Sequence, residues 1–221
     1  MEREKFLRPH HQKTNKDKMI FGLLRLLLIV LLFIPSSISS EDFDPINYLN
    51  AIQTIRAEFI QRQGSSQINQ QVSGEVFIRK PNQLLWNMES PNQKTVLINE
   101  NTITYFDADL EQVVISDYLE ENQVSWVNLF LDGSLIESSY TFNEKKLNNG
   151  ETHIRFDDMK GDYQSVTLIF KSGLIQGINL FDKNANSISI EFTEIEINQK
   201  FSDNLFNYQF PSSADVIDQR Q

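Results

Sequence analysis

The sequence predicts a mainly β domain with short helices: a curled antiparallel sheet or open β-barrel of about 11 strands, with short helices covering its apolar concave face. Three observations carry this. Apolar residues recur mostly with period two, as on a half-buried strand. Tight turn sequences such as Asn148-Asn149-Gly150, Lys171-Ser172-Gly173 and Asp182 to Asn186 separate the segments at hairpin spacing. Only two stretches depart toward a helical period.

The chain opens with an export leader. Ile20 to Ile34 is apolar apart from Gly22 and Arg25, Lys16 and Lys18 precede it, and Pro35, Ser36, Ser37 and Ser39 supply a small-residue cleavage region. The unbroken run Leu26 to Ile34 falls well short of the roughly 20 apolar residues that span a bilayer, so a cleaved signal over residues 1–40 is favoured over an anchor. The stretch before Met19 is polar, which leaves two starts open: Met1 with a long n-region, or Met19. No Cys ends the leader, so a cysteine-linked lipid tether is excluded and the expected location is the periplasm. Residues 41–221 are expected to form a single domain.

Residues 1–40 hold seven of the 20 basic and three of the 30 acidic residues, so the remainder carries a formal charge of −14 against −10 for the whole chain. Nucleic acid and anionic membrane surfaces are poor partners for such a surface. With no cysteine, neither disulfides nor thiolate metal sites hold this fold. Burial must do so, and 21 aromatic residues beyond position 40 can supply it.

Asp44 and Pro45 form an N-cap and first-turn pair ahead of Ile46, Leu49 and Ile52 at helical spacing, which predicts a short opening helix. From Thr54 the register stays open between helix (Ile55, Phe59, Ile60) and strand (Ile55, Ala57, Phe59), ending in a turn at Gly64, Ser65 and Ser66. Strands are expected at Val72 to Arg79, Leu84 to Met88, Lys94 to Ile98, Thr102 to Phe106 and Glu111 to Asp117. A second series comprises Ser139 to Phe142, Thr152 to Asp157, Ser165 to Phe170, Ile175 to Phe181, Ser187 to Ile197 and Leu205 to Tyr208. Val124 to Leu131, ended by Asp132-Gly133, interrupts as a helix.

Catalysis finds little support. His153 sits in a strand pattern with no second histidine or cysteine beyond residue 40 to complete a triad or a zinc site. Asp107, Asp109 and Glu111 share one side of an extended segment, but the glycine of a calcium loop is missing and a solvated turn is the preferred reading. Glu194 and Glu196 alternate with Ile190, Phe192, Ile195 and Ile197 as a solvent face does, and Asp157 with Asp158 is the other carboxylate pair. No catalytic residue, metal or cofactor is expected. A binding cavity fits better: Leu84, Trp86 and Met88 share one strand face, either an ordinary core stripe or the wall of a greasy cavity. Eight or more strands without a second sheet leave an interior to be filled by side chains, helices or ligand, and Trp126, Val127, Leu129, Phe130 and Leu131 suit a covering helix.

The run Gly74-Glu75-Val76-Phe77-Ile78-Arg79-Lys80-Pro81-Asn82-Gln83-Leu84-Leu85-Trp86-Asn87-Met88, then Pro91, Val96-Leu97-Ile98 and Tyr105-Phe106-Asp107-Ala108-Asp109-Leu110-Glu111-Gln112, resembles the outer-membrane lipoprotein carrier family, LolA. Phe206 to Pro211 and Asp215 to Arg220 are similar to that family's ending. The resemblance implies an incomplete barrel with a helical lid, and favours strand from Thr54 to Gln63. It implies a monomeric carrier that shields the acyl chains of lipoproteins. Such a carrier receives them from an inner-membrane ABC-type release complex and passes them to an outer-membrane lipoprotein receptor. Lipid-binding positions are then Leu84, Trp86, Met88, Val96, Tyr105, Trp126, Leu129 and Phe130. Leu84 also matches an exposed apolar partner contact of the family. The alternative is a carrier of another amphiphile, such as a glycolipid or polyketide precursor.

Three departures stand out. The family arginine that holds the lid through backbone carbonyls is Lys80 here; it can donate to carbonyls but lacks the planar guanidinium fork, while Arg79 points to the opposite face. The lid proline near Trp126 is absent, and Glu100-Asn101 stands where a turn glycine is expected before Thr102.

Overall fold

The computed structural model describes residues 43–65, 68–118, 125–131, 141–157, 163–184 and 186–221, so the expected leader lies outside the described residues. Helix α1 (Pro45–Ala51) starts where the sequence places it. The Asp44 carboxylate accepts the N–H groups of Ile46 and Asn47, each at 3.0 Å, and Pro45 occupies the first turn. Ile46, Leu49 and Ile52 turn into the core.

The strands are β1 (Thr54–Ser65), β2 (Ile68–Arg79), β3 (Gln83–Ser90), β4 (Lys94–Asn99), β5 (Thr102–Asp107) and β6 (Gln112–Asp117) in the first half. After helix α2 (Ser125–Leu131) come β7 (Phe142–Lys146), β8 (Glu151–Asp157), β9 (Tyr163–Lys171), β10 (Leu174–Asp182), β11 (Ser187–Ile197) and β12 (Asp215–Asp218). They form one open sheet in the linear order β12-β6-β5-β4-β3-β2-β1-β11-β10-β9-β8-β7. Neighbours are antiparallel apart from β12, which runs parallel to β6. The register of Thr54 onward is strand.

Several expectations are corrected. Gly64 and Ser65 do not turn: β1 continues through both, with Gly64 opposite Asn69 and Ser187. Ser139 and Tyr140 lie outside the described residues, and the strand there starts at Phe142. Leu205 to Tyr208 is not a strand: Leu205 and Phe206 complete a 3-10 turn, Asp203–Phe206, in which the Ser202 hydroxyl caps the N–H of Asn204. That turn seats Phe206 against the outer face of the sheet. In the β4–β5 turn Glu100 takes the left-handed φ of 54° that a glycine would adopt without strain.

The two faces of the sheet are covered differently. The concave face carries the main core, in which Ile55, Phe59, Ile78, Leu84, Trp86, Ile178 and Phe192 meet α1 and α2. Helix α2 is buried all round: Trp126 to Leu131 are each at most 9% exposed. Seven residues cannot hold a helix alone in water, so packing holds α2. On the convex face Leu85, Leu97 and Phe206 form a second cluster with Phe77, Phe201, Leu205, Tyr208 and Phe210. The C-terminal segment thus straps the outside of β2, β3 and β4. Val76-Phe77-Ile78, Leu84-Leu85-Trp86 and Val96-Leu97-Ile98 are unbroken apolar triplets on those strands, the mark of burial on both faces.

Gly74 marks an irregularity between β2 and β3, and a Cβ there would lie 1.8 Å from the Asn87 carbonyl oxygen. Because that neighbour is backbone, Gly74→Ala is expected to destabilise the domain by about 2–4 kcal/mol. A urea midpoint within experimental error of the parent would contradict this packing.

Candidate functional site

An apolar pocket lies between the concave face and α2, lined by Ile55, Ala57, Val76, Ile78, Trp86, Ile175, Ile178, Phe192 and Ile195 of the sheet and by Trp126 and Phe130 of the helix. Alternation on β1 and β2 aims Ile55, Ala57, Val76 and Ile78 at it. On β11 the alternation alone would send Phe192 and Ile195 to opposite faces. Glu194, with φ of 48°, makes a bulge opposite Arg56 to Glu58, and the extra residue returns Ile195 to the same side as Phe192. About 320 Å³ of empty space reaches from these side chains to the mouth, but the enclosed part is only about one water molecule in size. In this arrangement the pocket is nearly filled by its own side chains.

Of the residues named from sequence, Trp86, Trp126 and Phe130 line the pocket, and the two indoles meet edge to face with centroids 5.7 Å apart. Leu84, Met88, Val96 and Leu129 belong to the same core but sit off the pocket wall. Tyr105 pairs with Val96 on that face yet stays outside the core cluster, its ring 6.0 Å from Lys94 Nζ. The exposure expected of Leu84 is corrected: it is 2% exposed and packed within the main core. Sequence reasoning missed the walls given by β1, β10 and β11. Val76 and Ile78 were legible as a stripe, whereas Ile195 depends on the bulge.

Polar groups fix both helices, α1 at its C-terminal end and α2 at its middle. Lys80 Nζ donates to the Leu49 carbonyl of α1 at 2.5 Å, and the Lys80 N–H donates to the Gln53 carbonyl at 2.9 Å. No basic residue lies in the last turn of α1, so Lys80 supplies the positive charge that helix carbonyls favour. Arg79, one residue earlier, lies on the convex side as expected, 4.8 Å from the Phe206 ring centroid. In α2 the buried Asn128 accepts a hydrogen bond from the Tyr118 hydroxyl. Among the described residues no helix is long and apolar enough to cross a membrane.

A model of the family described as outer membrane lipoprotein carrier protein LolA matches residues 50–209. A protein of Legionella pneumophila strain Lens named outer-membrane lipoprotein carrier protein is 27% identical over 204 residues, covering 88% of this chain and 99% of that protein. One of the same name from Pseudomonas syringae pv. syringae B728a is 28% identical over 205 residues, covering 88% and 98%. The crystal structure of an uncharacterized conserved protein from Thermus thermophilus superposes with a TM-score of 0.52 at 11% identity, covering 79% of this chain and 96% of that one. That likeness concerns the fold alone.

Of the acidic side chains weighed from sequence, Asp107, Asp109, Asp157 and Glu196 have structural partners. Asp107, 8% exposed, pairs with Lys94 at 2.8 Å and accepts the N–H groups of Asp109 and Leu110. Asp109 takes the Asn92 amide, Glu196 pairs with Arg56, and His153 lies 3.0 Å from Glu151. Asp158 lies outside the described residues, among which no cluster of metal-ligating groups forms. The hydrogen bond from Lys94 holds the Asp107 carboxyl below its usual range, helped by the two backbone N–H donors. A depressed carboxyl stabilises the fold above its ordinary range and loses that effect as pH falls through the folded value. Asp107→Asn is therefore expected to be less stable than the parent at pH 7, with the gap closing below about pH 4. Urea midpoints across pH measure this, and a gap independent of pH would remove the ion pair as its cause.

Proposed function

This chain belongs to the outer membrane lipoprotein carrier protein LolA family, and from that membership we propose that it is a periplasmic carrier for the acyl chains of lipoproteins. In this reading it works as a monomer after loss of residues 1–40. It takes acylated lipoproteins from an inner-membrane ABC-type release complex and yields them to an outer-membrane lipoprotein receptor. The observation that carries the proposal is the apolar pocket roofed by α2 on an open sheet, in a chain matched by the family model over residues 50–209.

Energetics supports a passive carrier. At about 0.8 kcal/mol per methylene, three long acyl chains in a membrane represent tens of kcal/mol, more than the roughly 18–21 kcal/mol at which non-covalent affinity saturates. Extraction must therefore be driven by the release complex. Lifting α2 exposes Trp126, Val127, Leu129, Phe130 and Leu131, each worth about 1.5–3 kcal/mol of burial, on the order of 10 kcal/mol in all. The empty carrier consequently stays shut. An acyl chain laid against Trp86, Ile178 and Phe192 replaces those contacts with others of the same chemistry, so opening and loading are one event.

Native mass spectrometry of the purified protein with a triacylated lipoprotein is expected to show a soluble one-to-one complex. Failure to form it, or co-purification with a different amphiphile that the lipoprotein cannot displace, would overturn the proposal. Lys80→Leu removes the bond that closes α1 and is expected to favour the loaded over the empty carrier by about 1.5–3 kcal/mol. Transfer of cargo to a receptor in a reconstituted assay should then slow; unchanged transfer would take Lys80 out of the cycle.

A further inference from the structure

Arg79 and Lys80 are consecutive residues at the end of β2 whose side chains engage opposite faces of the sheet. Inside, Lys80 meets the Leu49 carbonyl of α1. Outside, Arg79 lies over the Phe206 ring and donates to Gln83 Oε1 at 2.5 Å and to Asp203 at 3.3 Å. Gln83 donates onward to Asn99 at 2.9 Å, and Asn99 donates to the Phe206 carbonyl at 3.2 Å, so the network closes on the C-terminal strap. The start of the strap is tied to the exit of α1. Asn198 Oδ1 accepts the Gln53 N–H at 2.8 Å, and the Thr54 hydroxyl donates to the Gln199 carbonyl at 2.7 Å. The Asn198 N–H in turn donates to the Thr54 carbonyl at 2.9 Å.

These contacts make a ring: α1, Gln53 and Thr54, the strap from Asn198 to Phe206, Arg79, Lys80, and α1 again. We infer that Arg79 is a positioning residue for the closure of α1: seated on the strap, it fixes the backbone at the end of β2 so that the Lys80 ammonium meets the helix. The firmness of closure on the cargo side is then set from the outer face of the sheet. Helix α1 borders the pocket at Ile175, whose N–H reaches the Tyr48 hydroxyl at 3.5 Å, so its release loosens the pocket margin. Within the Arg79 network the ring contact and the hydrogen bonds matter more than the ion pair, because Asp203 is 98% exposed and screened by water. The inference rests on the carrier reading for its purpose, not for its test.

Hydrogen exchange of the cargo-free protein reads the coupling directly. Arg79→Ala is expected to speed exchange of residues 45–51 about tenfold, the order that follows from losing one cation–π contact and one charge-assisted hydrogen bond, while β8, β9 and β10 exchange as in the parent. Phe206→Leu, which removes the ring and keeps an apolar side chain, should do the same to a lesser degree. In a Lys80→Met background the further effect of Arg79→Ala should fall below about twofold, since both act through one contact. No change in residues 45–51, an equal rise in β8 to β10, or full additivity with Lys80→Met would each overturn the inference. As no lipoprotein enters this experiment, such a failure leaves the carrier reading to the mass-spectrometric test.

Discussion

An open sheet with one apolar face must cover that face without a second sheet, and everything else in this domain answers to that requirement. Among the described residues the cover consists of two helices of seven residues each, neither long enough to be stable in isolation. Each exists because the sheet offers it a surface, and the sheet stays dry because they occupy it. The dependence is mutual but not chemically specific. What Trp126 and Phe130 provide to Trp86 and Phe192 is hydrocarbon contact, which a fatty chain provides as well.

The polar contacts have the complementary role of deciding where the cover sits. Lys80 at the end of α1 and the Tyr118–Asn128 pair on α2 are directional, so they select one closed arrangement among many oily ones. The exposed ion pairs of the convex face, such as Arg56 with Glu75 and Glu196, lie in high dielectric and contribute little beyond solubility. Specificity of closure thus resides in a few buried or half-buried donors, and its strength resides in burial.

Much of this was legible in the sequence because period two is a direct imprint of a sheet with one wet face. The strands from Val72 to Asp117 and from Thr152 to Ile197 lie where alternation places them, and Asp44-Pro45 starts α1 as capping chemistry requires. Trp86 read from its strand face as core stripe or cavity wall, Trp126 and Phe130 as part of a covering helix, and all three line the pocket. What escaped were features that break a period. Glu194 shifts β11 by one residue, an event visible only as apolar residues at even positions 190 and 192 and odd positions 195 and 197. Within the strap Leu205 to Tyr208 was read as a strand, and Phe201, Phe206 and Phe210 follow no regular spacing that reveals its packing. Their partners Phe77, Leu85 and Leu97 stand at positions that alternation assigns to water. Leu84 was expected to be exposed from likeness to a family, whereas burial depends on where the helices rest.

The chain contains two tryptophans, and they are the pair that meets across the gap between Trp86 of the sheet and Trp126 of the covering helix. Indole emission therefore originates at the interface between the sheet and its covering helix. The unlabelled protein carries its own optical gauge of that interface, readable in real time with no dye attached once excitation is set beyond tyrosine absorption.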